Sequence, residues 1–375
     1  MITWKTLISY LAVIVFAVLF LFFGNQFVRT EYAVFEDDMS VTVEARIENI
    51  VSIAELDWAQ GVSITFEAVV LSGEHRGEYV TAVQTLDDFF GPHLRQVSEG
   101  SRVVLVSFSP DEWFFVDFVR INQIIILGAV FVALLLLFGR GKGLNAILSL
   151  GLTCLAVFTV FIPSILSGRN IYFSTVVVAF YSIIVTILII NGINRKSLAA
   201  ITGCFGGVVA AALLTLFMNH TLQLSGVLDG GSLSLLYLPL ETPIDLRALI
   251  FAGIIIGAVG AVMDVAVSIS SALWELKSQA PDLSFGSIFK SGINIGRDVM
   301  ASMTNTLVLA YIGSSLTVIL LIIVQVGSLL DLFNSELVIV ELLQAIIGSM
   351  GILLAMPLTA LICAALFAKK KKQPE

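Results

Sequence analysis

Apolar runs of membrane-spanning length recur along this chain, and no other feature limits its fold as much. Leu7–Phe23, Asn122–Phe138, Leu144–Ile165, Ile171–Asn191, Leu198–Met218, Ala248–Ser271, Thr304–Val326 and Leu337–Ala368 are all poor in charge. A helix rises about 1.5 Å per residue, so some 20 apolar residues cross the roughly 30 Å hydrocarbon core of a bilayer. Lipid offers no hydrogen bonds to backbone amides, so such runs must be helical. Composition agrees: 58% of residues are hydrophobic and 13% charged, against about 25% charged in soluble proteins. The expectation is an α-helical polytopic membrane protein of about eight transmembrane helices.

One region breaks the pattern. The first run follows Lys5 and leaves through FLFFGNQF with no small-x-small cleavage site, which reads as an uncleaved signal anchor over residues 1–23. From Val41 the period falls to two, with Val43, Ala45 and Ile47 alternating with Glu44, Arg46 and Glu48; Val62, Ile64, Phe66 and Ala68 repeat it. Gly73 and Gly77 punctuate a turn, and Tyr79–Gln84, Arg102–Phe108 and Trp113–Phe118 complete about five strands. Residues 24–120 are therefore expected to form a small all-β, barrel-like domain, OB-like or SH3-like, between the first and second helices. Its loop residues Asp87, Asp88, Phe89, Phe90 and His93 read as a solvated loop, with binding of a cation or partner as the sharper alternative. Residues 121–368 follow as a seven-helix domain, and 369–375 as a basic tail.

Charge distribution predicts orientation. Arg140 and Lys142, Arg195 and Lys196, Lys277, Lys290 and Arg297, and Lys369–Lys372 alternate onto one side, leaving only Arg29, Arg169 and Arg247 on the other. The positive-inside rule then puts both termini in the cytoplasm and the β-domain outside. That domain is acidic, with Glu36, Asp37, Asp38, Asp111 and Glu112 among its carboxylates, which excludes nucleic acid as a partner. The three cysteines, Cys154, Cys204 and Cys363, lie in apolar runs, and none of the histidines lies deep in one. No metal site or cofactor is expected. Two stretches are expected outside the spans: the Leu-rich loop between His220 and Arg247, which lies along the membrane surface or dips into it with a turn at Asp229–Gly231, and an amphipathic helix over Pro281–Asp298 at the inner surface.

The candidate chemistry gathers on three helices. In the Ala248–Ser271 run, Gly253, Gly257, Gly260, Asp264, Ser268 and Ser271 recur at helical spacing and share one face. Glycines so spaced admit a close neighbour, so this face is expected to point into the bundle. An ionised carboxylate at membrane depth costs roughly 2.5–3.5 kcal/mol, and such groups usually pair, line a cavity or carry protons. Asp264 lies 16 residues into its run, toward the inner third. The opening of the next span offers Asp298, Ser302, Thr304, Asn305 and Thr306 at a similar depth. The functional reading is a polar cavity in which Asp264 exchanges a proton or holds a cation, with Asn305, Thr304, Thr306, Ser268 and Ser271 around it. The bland reading is that Asp264 accepts a hydrogen bond from Asn305 or a serine and fixes packing. In the last run Asn334–Ser335–Glu336 reads as an N-cap, Glu336 as a dipole-compensating acid, and Glu341 and Gln344 as outer-mouth candidates. Enzyme chemistry is not expected: the spans hold no second deep aspartate and no Ser–His pair, and no phosphate-cradling G-x-x-x-x-G-K-[ST] run occurs.

A single anchor, a small β-domain and seven further spans, with IDLRALIFAGIIIGAVGAVMDVAVSISSALWEL (Ile244–Leu276), GINIGRDVMASMTNTLVLAYIGSSL (Gly292–Leu316) and IIGSMGILLAMPLTALI (Ile346–Ile362), resemble the YibE/F-like bacterial membrane proteins. The resemblance runs from about Val41 to Ala368. It implies that fold and a bacterial, Gram-positive plasma membrane, but no activity. Gln344 stands where the resemblance leads one to expect a basic residue. A fainter likeness, in the acid-bearing helix, amphipathic helix and T-N-T-L helix, is to the membrane half of Sec export accessory subunits and related proton-driven permeases; it is fold-level analogy.

Together these readings favour a proton- or cation-coupled transporter or export-assisting permease, with Asp264 as carrier and the bilayer and an ion or small molecule as partners. The alternative is a non-transporting scaffold or sensor whose β-domain binds an envelope protein. Small-residue faces at Gly203, Gly206 and Gly207 and at Gly253, Gly257 and Gly260 allow packing within one chain or in a homo-oligomer.

Overall fold

The computed structural model of the protein describes residues 4–28, 41–55, 61–87, 95–109, 112–240, 242–325 and 327–368. The loop residues Asp88, Phe89, Phe90 and His93 and the basic tail Lys369–Lys372 lie outside the described residues. The chain divides into two compact units, Ala33–Leu137, and Met1–Tyr32 with Phe138–Glu375.

In the first unit, β1 (Val41–Glu55), β2 (Gly61–Val70), β3 (Tyr79–Asp87), β4 (Arg102–Ser109) and β5 (Glu112–Phe118) close a barrel in the order β1-β2-β3-β5-β4. β3 and β5 pair in parallel and every other pair is antiparallel. Of the two expected barrels this is the OB-like one. The alternation holds where it was read: Val43, Ala45, Ile47, Ile64, Phe66 and Ala68 fill the interior. β1 pairs with both β2 and β4, and its register shifts between Ile47 and Asn49 and between Ile50 and Ser52. Such bulges bend a strand and let it serve two edges of a closing sheet. Buried Gln84 donates to the Arg95 carbonyl at 3.1 Å and accepts from the Val97 amide at 2.9 Å, pinning the segment before β4 to the wall.

The second unit begins with α1 (Trp4–Phe27); α2 (Ile121–Ala156) crosses the division, its residues up to Leu137 counting with the barrel, and a π-helical turn (Val157–Phe161) and α3 (Ile162–Leu166) follow it. Next come α4 (Ile171–Asn191), α5 (Arg195–Thr221), α6 (Gly230–Leu235), α7 (Leu246–Gln279), α8 (Phe285–Ser314), α9 (Leu316–Gln325), α10 (Leu329–Asn334) and α11 (Glu336–Phe367). Among the described residues six helical stretches are long and apolar enough to cross a membrane, or seven if the bent pair α8–α9 counts as one span. The difference from the eight sequence runs has a local cause. Asn122–Phe138 and Leu144–Ile165 fall on one 46-residue stretch, Ile121–Leu166, interrupted at Arg140 by a non-helical backbone (φ 47°, ψ −128°).

α7 is the hub, packing against α4, α5, α8 and α11. Its buried residues are apolar and β-branched or small: Ile254, Ile255, Ala258, Val262, Val265, Ala266 and Ile269 repeat every three or four positions. Between helices in lipid the drive is close packing rather than the hydrophobic effect. The glycines of α5 supply it. A β-carbon on Gly203 would stand 2.1 Å from the Thr359 hydroxyl, and one on Gly207 would stand 2.6 Å from the Ala355 β-carbon and 3.0 Å from Val262. Gly203, Gly206 and Gly207 therefore close on α11 and α7 within one chain.

The amphipathic stretch Pro281–Asp298 forms the first half of α8 from Phe285 on, with one face packed and the other exposed. Ile288, Gly292 and Gly296 are its buried face, with Gly292 against Ala360 and Leu273 and Gly296 against Met356 and Ile269. Glycines four apart form a groove for α11, while Lys290, Asn294 and Arg297 stay exposed on the other face. The following run is bent by 60° between α8 and α9. In the segment between α5 and α7, Asp229 is an N-cap rather than a plain turn residue. Its carboxylate accepts from the Ser232 amide at 2.7 Å in a capping box, which holds its pKa below the ordinary carboxylate value.

Candidate functional site

Helix α7 carries its small and polar residues on the face opposite its core contacts. Gly253, Gly257, Gly260, Asp264 and Ser268 are all exposed, and Ser271 is half-buried. This differs from the expectation that the glycine face would turn into the bundle. The reason lies in the competing face: the Ile/Val/Ala stripe meets the grooved surfaces of α5 and α11, and a helix has only one side to offer them.

The glycine row is graded along its length. A β-carbon on Gly253 would lie 3.3 Å from Gln344 Nε2, and one on Gly257 would lie 2.6 Å from the Tyr311 hydroxyl. At Gly260 nothing comes within 4 Å. From there inward the row opens, and Asp264 is the next member, one turn on. Asp264 makes no hydrogen bond or ion pair with any described residue, so the packing role through Asn305 or a serine is not built here.

Helix α8 runs antiparallel to α7: Gly296 meets Ile269, Gly292 meets Leu273, and Tyr311 meets Gly257. That register sets Asp264 level with residues 301–304 of α8. Thr304 and Tyr311, two turns apart on one face of α8, each bury a hydroxyl oxygen with no protein partner. Leaving such a group dry costs about 1–3 kcal/mol, and water or a ligand offsets that cost. Of the other sequence candidates, Asn305 is exposed, and Thr306 is exposed and donates to the Ser302 carbonyl of its own helix at 2.9 Å. The helices thus bring Asp264 to the level of Thr304, and leave Asn305 and Thr306 on the outer surface of α8.

At the other end, a cavity of about 310 Å³ lies beside the bend between α8 and α9, lined by Tyr311, Ser315 and Glu341 among apolar neighbours. The lining is otherwise apolar, and among the described residues Glu341 is the one charged residue on it. Glu341 and Tyr311 share the wall of this cavity, and Gln344 reaches Gly253 of α7. Tyr311 was not singled out from the sequence, where a tyrosine in an apolar run reads as packing. Its only signal was its position seven residues after Thr304. Glu336 lies in the first turn of α11, as expected for a dipole-compensating acid. Its carboxylate also accepts from Ser225 Oγ at 2.8 Å and from the Gly226 amide at 2.6 Å, tying the loop after α5 to the start of α11.

A family model described as YibE/F-like protein matches residues 127–369, which include every one of these helix positions. No curated protein and no solved structure matches the chain.

Proposed function

The chain belongs to the YibE/F-like family, and we propose that it is a proton- or cation-coupled membrane transporter or export-assisting permease with Asp264 as its carrier group. One observation carries the reading: a carboxylate inside a membrane-length helix that no described protein group satisfies. At roughly 2.5–3.5 kcal/mol of insertion cost, such an acid is retained against its own expense unless it serves an ion. Protonation neutralises Asp264, and a bound cation does the same. The open space at Gly260 gives water or a hydrated ion access, and the unpaired hydroxyls of Thr304 and Tyr311 extend the route outward to Glu341. Ser268 and Ser271 continue it inward.

In this reading the protein lies in a bacterial plasma membrane with both termini cytoplasmic and the barrel outside, following the alternation of basic segments. The barrel then serves as a gate for substrate or partner. The second reading, a non-transporting scaffold or sensor that holds an envelope protein through its barrel, draws on the exposure of the same α7 face, because an open small-residue row also fits a neighbouring helix.

The deciding experiment is dissipation of a pH gradient in proteoliposomes of the full chain, native against Asp264→Asn, repeated under Na⁺ and divalent-ion gradients. Transport requires flux in the native protein that is lost in the variant. No flux for any ion from a folded native protein would overturn it and favour the scaffold.

A further inference from the structure

A cavity of the helical unit that shares no lining residue with the Asp264 region has a different character. It measures about 940 Å³, opens between α1 and α4, and is walled by Phe16, Phe20, Phe23, Phe27 and Phe173, with Arg169 at one end. Two features of the backbone create it. The π-helical turn Val157–Phe161 brings Val160 against Gly24, where a β-carbon would stand 3.0 Å from the valine methyls. The Ser167–Gly168 turn, with Gly168 at φ +67°, then delivers Arg169 to the end of the slot.

Arg169 is fixed but not neutralised. Its guanidinium donates to the Phe27 carbonyl at 3.2 Å and lies 4.2 Å over the Phe27 ring. Among the described residues no carboxylate pairs with it. A guanidinium has five N–H donors, and its planar fork matches phosphate oxygens in pairs. The slot's length is also informative. From Phe16 to Phe27 is eleven residues, about 16 Å of helix, which equals half of the roughly 30 Å hydrocarbon core. The cation is at the end of both spans, where the headgroup layer begins, and the aromatic wall runs to mid-membrane.

We propose that this slot holds one phospholipid with an anionic headgroup, its phosphate on Arg169 and one acyl chain lying along the phenylalanines toward Phe16. The site would couple α1 to α4 through a lipid, independently of any ion carried by Asp264.

The test is native mass spectrometry of the full chain released from nanodiscs of phosphatidylglycerol or of phosphatidylcholine with identical acyl chains. One phosphatidylglycerol is expected to stay bound, with phosphatidylcholine, which carries the same phosphate but sets a choline cation beside Arg169, retained less. Arg169→Gln should lower phosphatidylglycerol retention about tenfold, the loss of one charge-assisted hydrogen bond. Val177→Trp, which fills the slot and leaves Arg169 in place, should lower retention of both lipids. A photoreactive group at the acyl terminus should label peptides around Phe16–Phe20 and Phe173. Equal retention of the two lipids by the native chain, full retention in either variant at unchanged thermal stability, or labelling spread over all spans would overturn the proposal.

Discussion

Two helices carry the same sequence signature and meet different fates. α5 has glycines at 203, 206 and 207, and α7 has them at 253, 257 and 260. The α5 row is closed: Thr359, Leu358 and Ala355 stand where its β-carbons would be. The α7 row is touched only by the tips of Gln344 and Tyr311, and is empty at Gly260. Small residues permit close approach without specifying what approaches. What decides is the surface opposite. α11 presents Gly351, Ala355 and Thr359 to α5, which are small and lie at matching intervals, so backbones meet. The residues opposite the α7 glycines, Gln344 and Tyr311, are long and polar-tipped, so they meet the row only through their ends and Gly260 is left open.

The strongest break of this comparison is Gly203→Leu. A β-carbon there would lie 2.8 Å from the Thr359 β-carbon and 2.9 Å from its backbone Cα, and backbone cannot swing away. Overpacking of this kind costs typically 1–3 kcal/mol, and here about 3 kcal/mol or more is expected. The unfolding midpoint in detergent measures it; a loss under about 0.5 kcal/mol, ordinary for surface changes, would mean that the seam is not closed.

Removal of the clasp at the outer end of the same seam should cost less. Glu336→Gln weakens the bonds from Ser225 and Gly226. Both partners border solvent, so screening discounts the charge and about 1 kcal/mol is expected. Hydrogen exchange should locate the loss in the loop 222–229. Uniform acceleration across α11 instead would show that Glu336 acts on the helix start, as its position alone suggested.

On the open side the sign reverses. Tyr311→Phe deletes a buried hydroxyl that has no protein partner, and stability should rise by about 1 kcal/mol. If Tyr311 belongs to the ion route, flux should fall in the same variant. A stability loss would reveal that the hydroxyl is bonded in the folded protein and that the cleft is narrower than described.

How much of this could be read beforehand follows the same division. Elements governed by local periodicity were legible: the alternation of Val43, Ala45 and Ile47 identifies strands, and the apolar runs identify helices. The barrel's class was not, because a parallel β3–β5 pairing joins residues 82–83 to 113–114, which leaves no mark within either segment. Asp264 was legible as an anomaly of its own helix. The buried hydroxyls of α8 were only half so: Thr304 belongs to a visible polar cluster, whereas Tyr311 stands out only once Gly257 is seen opposite it. The amphipathic character of Pro281–Asp298 is legible in its polar stripe, but Gly292 and Gly296 acquire meaning only from Ala360 and Met356.

Gly260→Ala should have the smallest effect and tests the comparison at its centre. With nothing within 4 Å of the new methyl, the substitution meets no clash, and replacing a mid-helix glycine with alanine favours the helix by roughly 0.5–1 kcal/mol. A small gain in the unfolding midpoint is therefore expected, whereas Gly203→Ala on the closed row should lose stability. The pair of variants separates an open cleft from a face covered by a second copy of the chain. If Gly260 sits in an interface between copies, its methyl meets a neighbouring helix, and stability and the oligomeric fraction in detergent fall together. If the face is open to water, stability rises slightly and the molecular mass is unchanged. In that case Gly260→Leu is tolerated in folding and acts only by crowding the approach to Asp264.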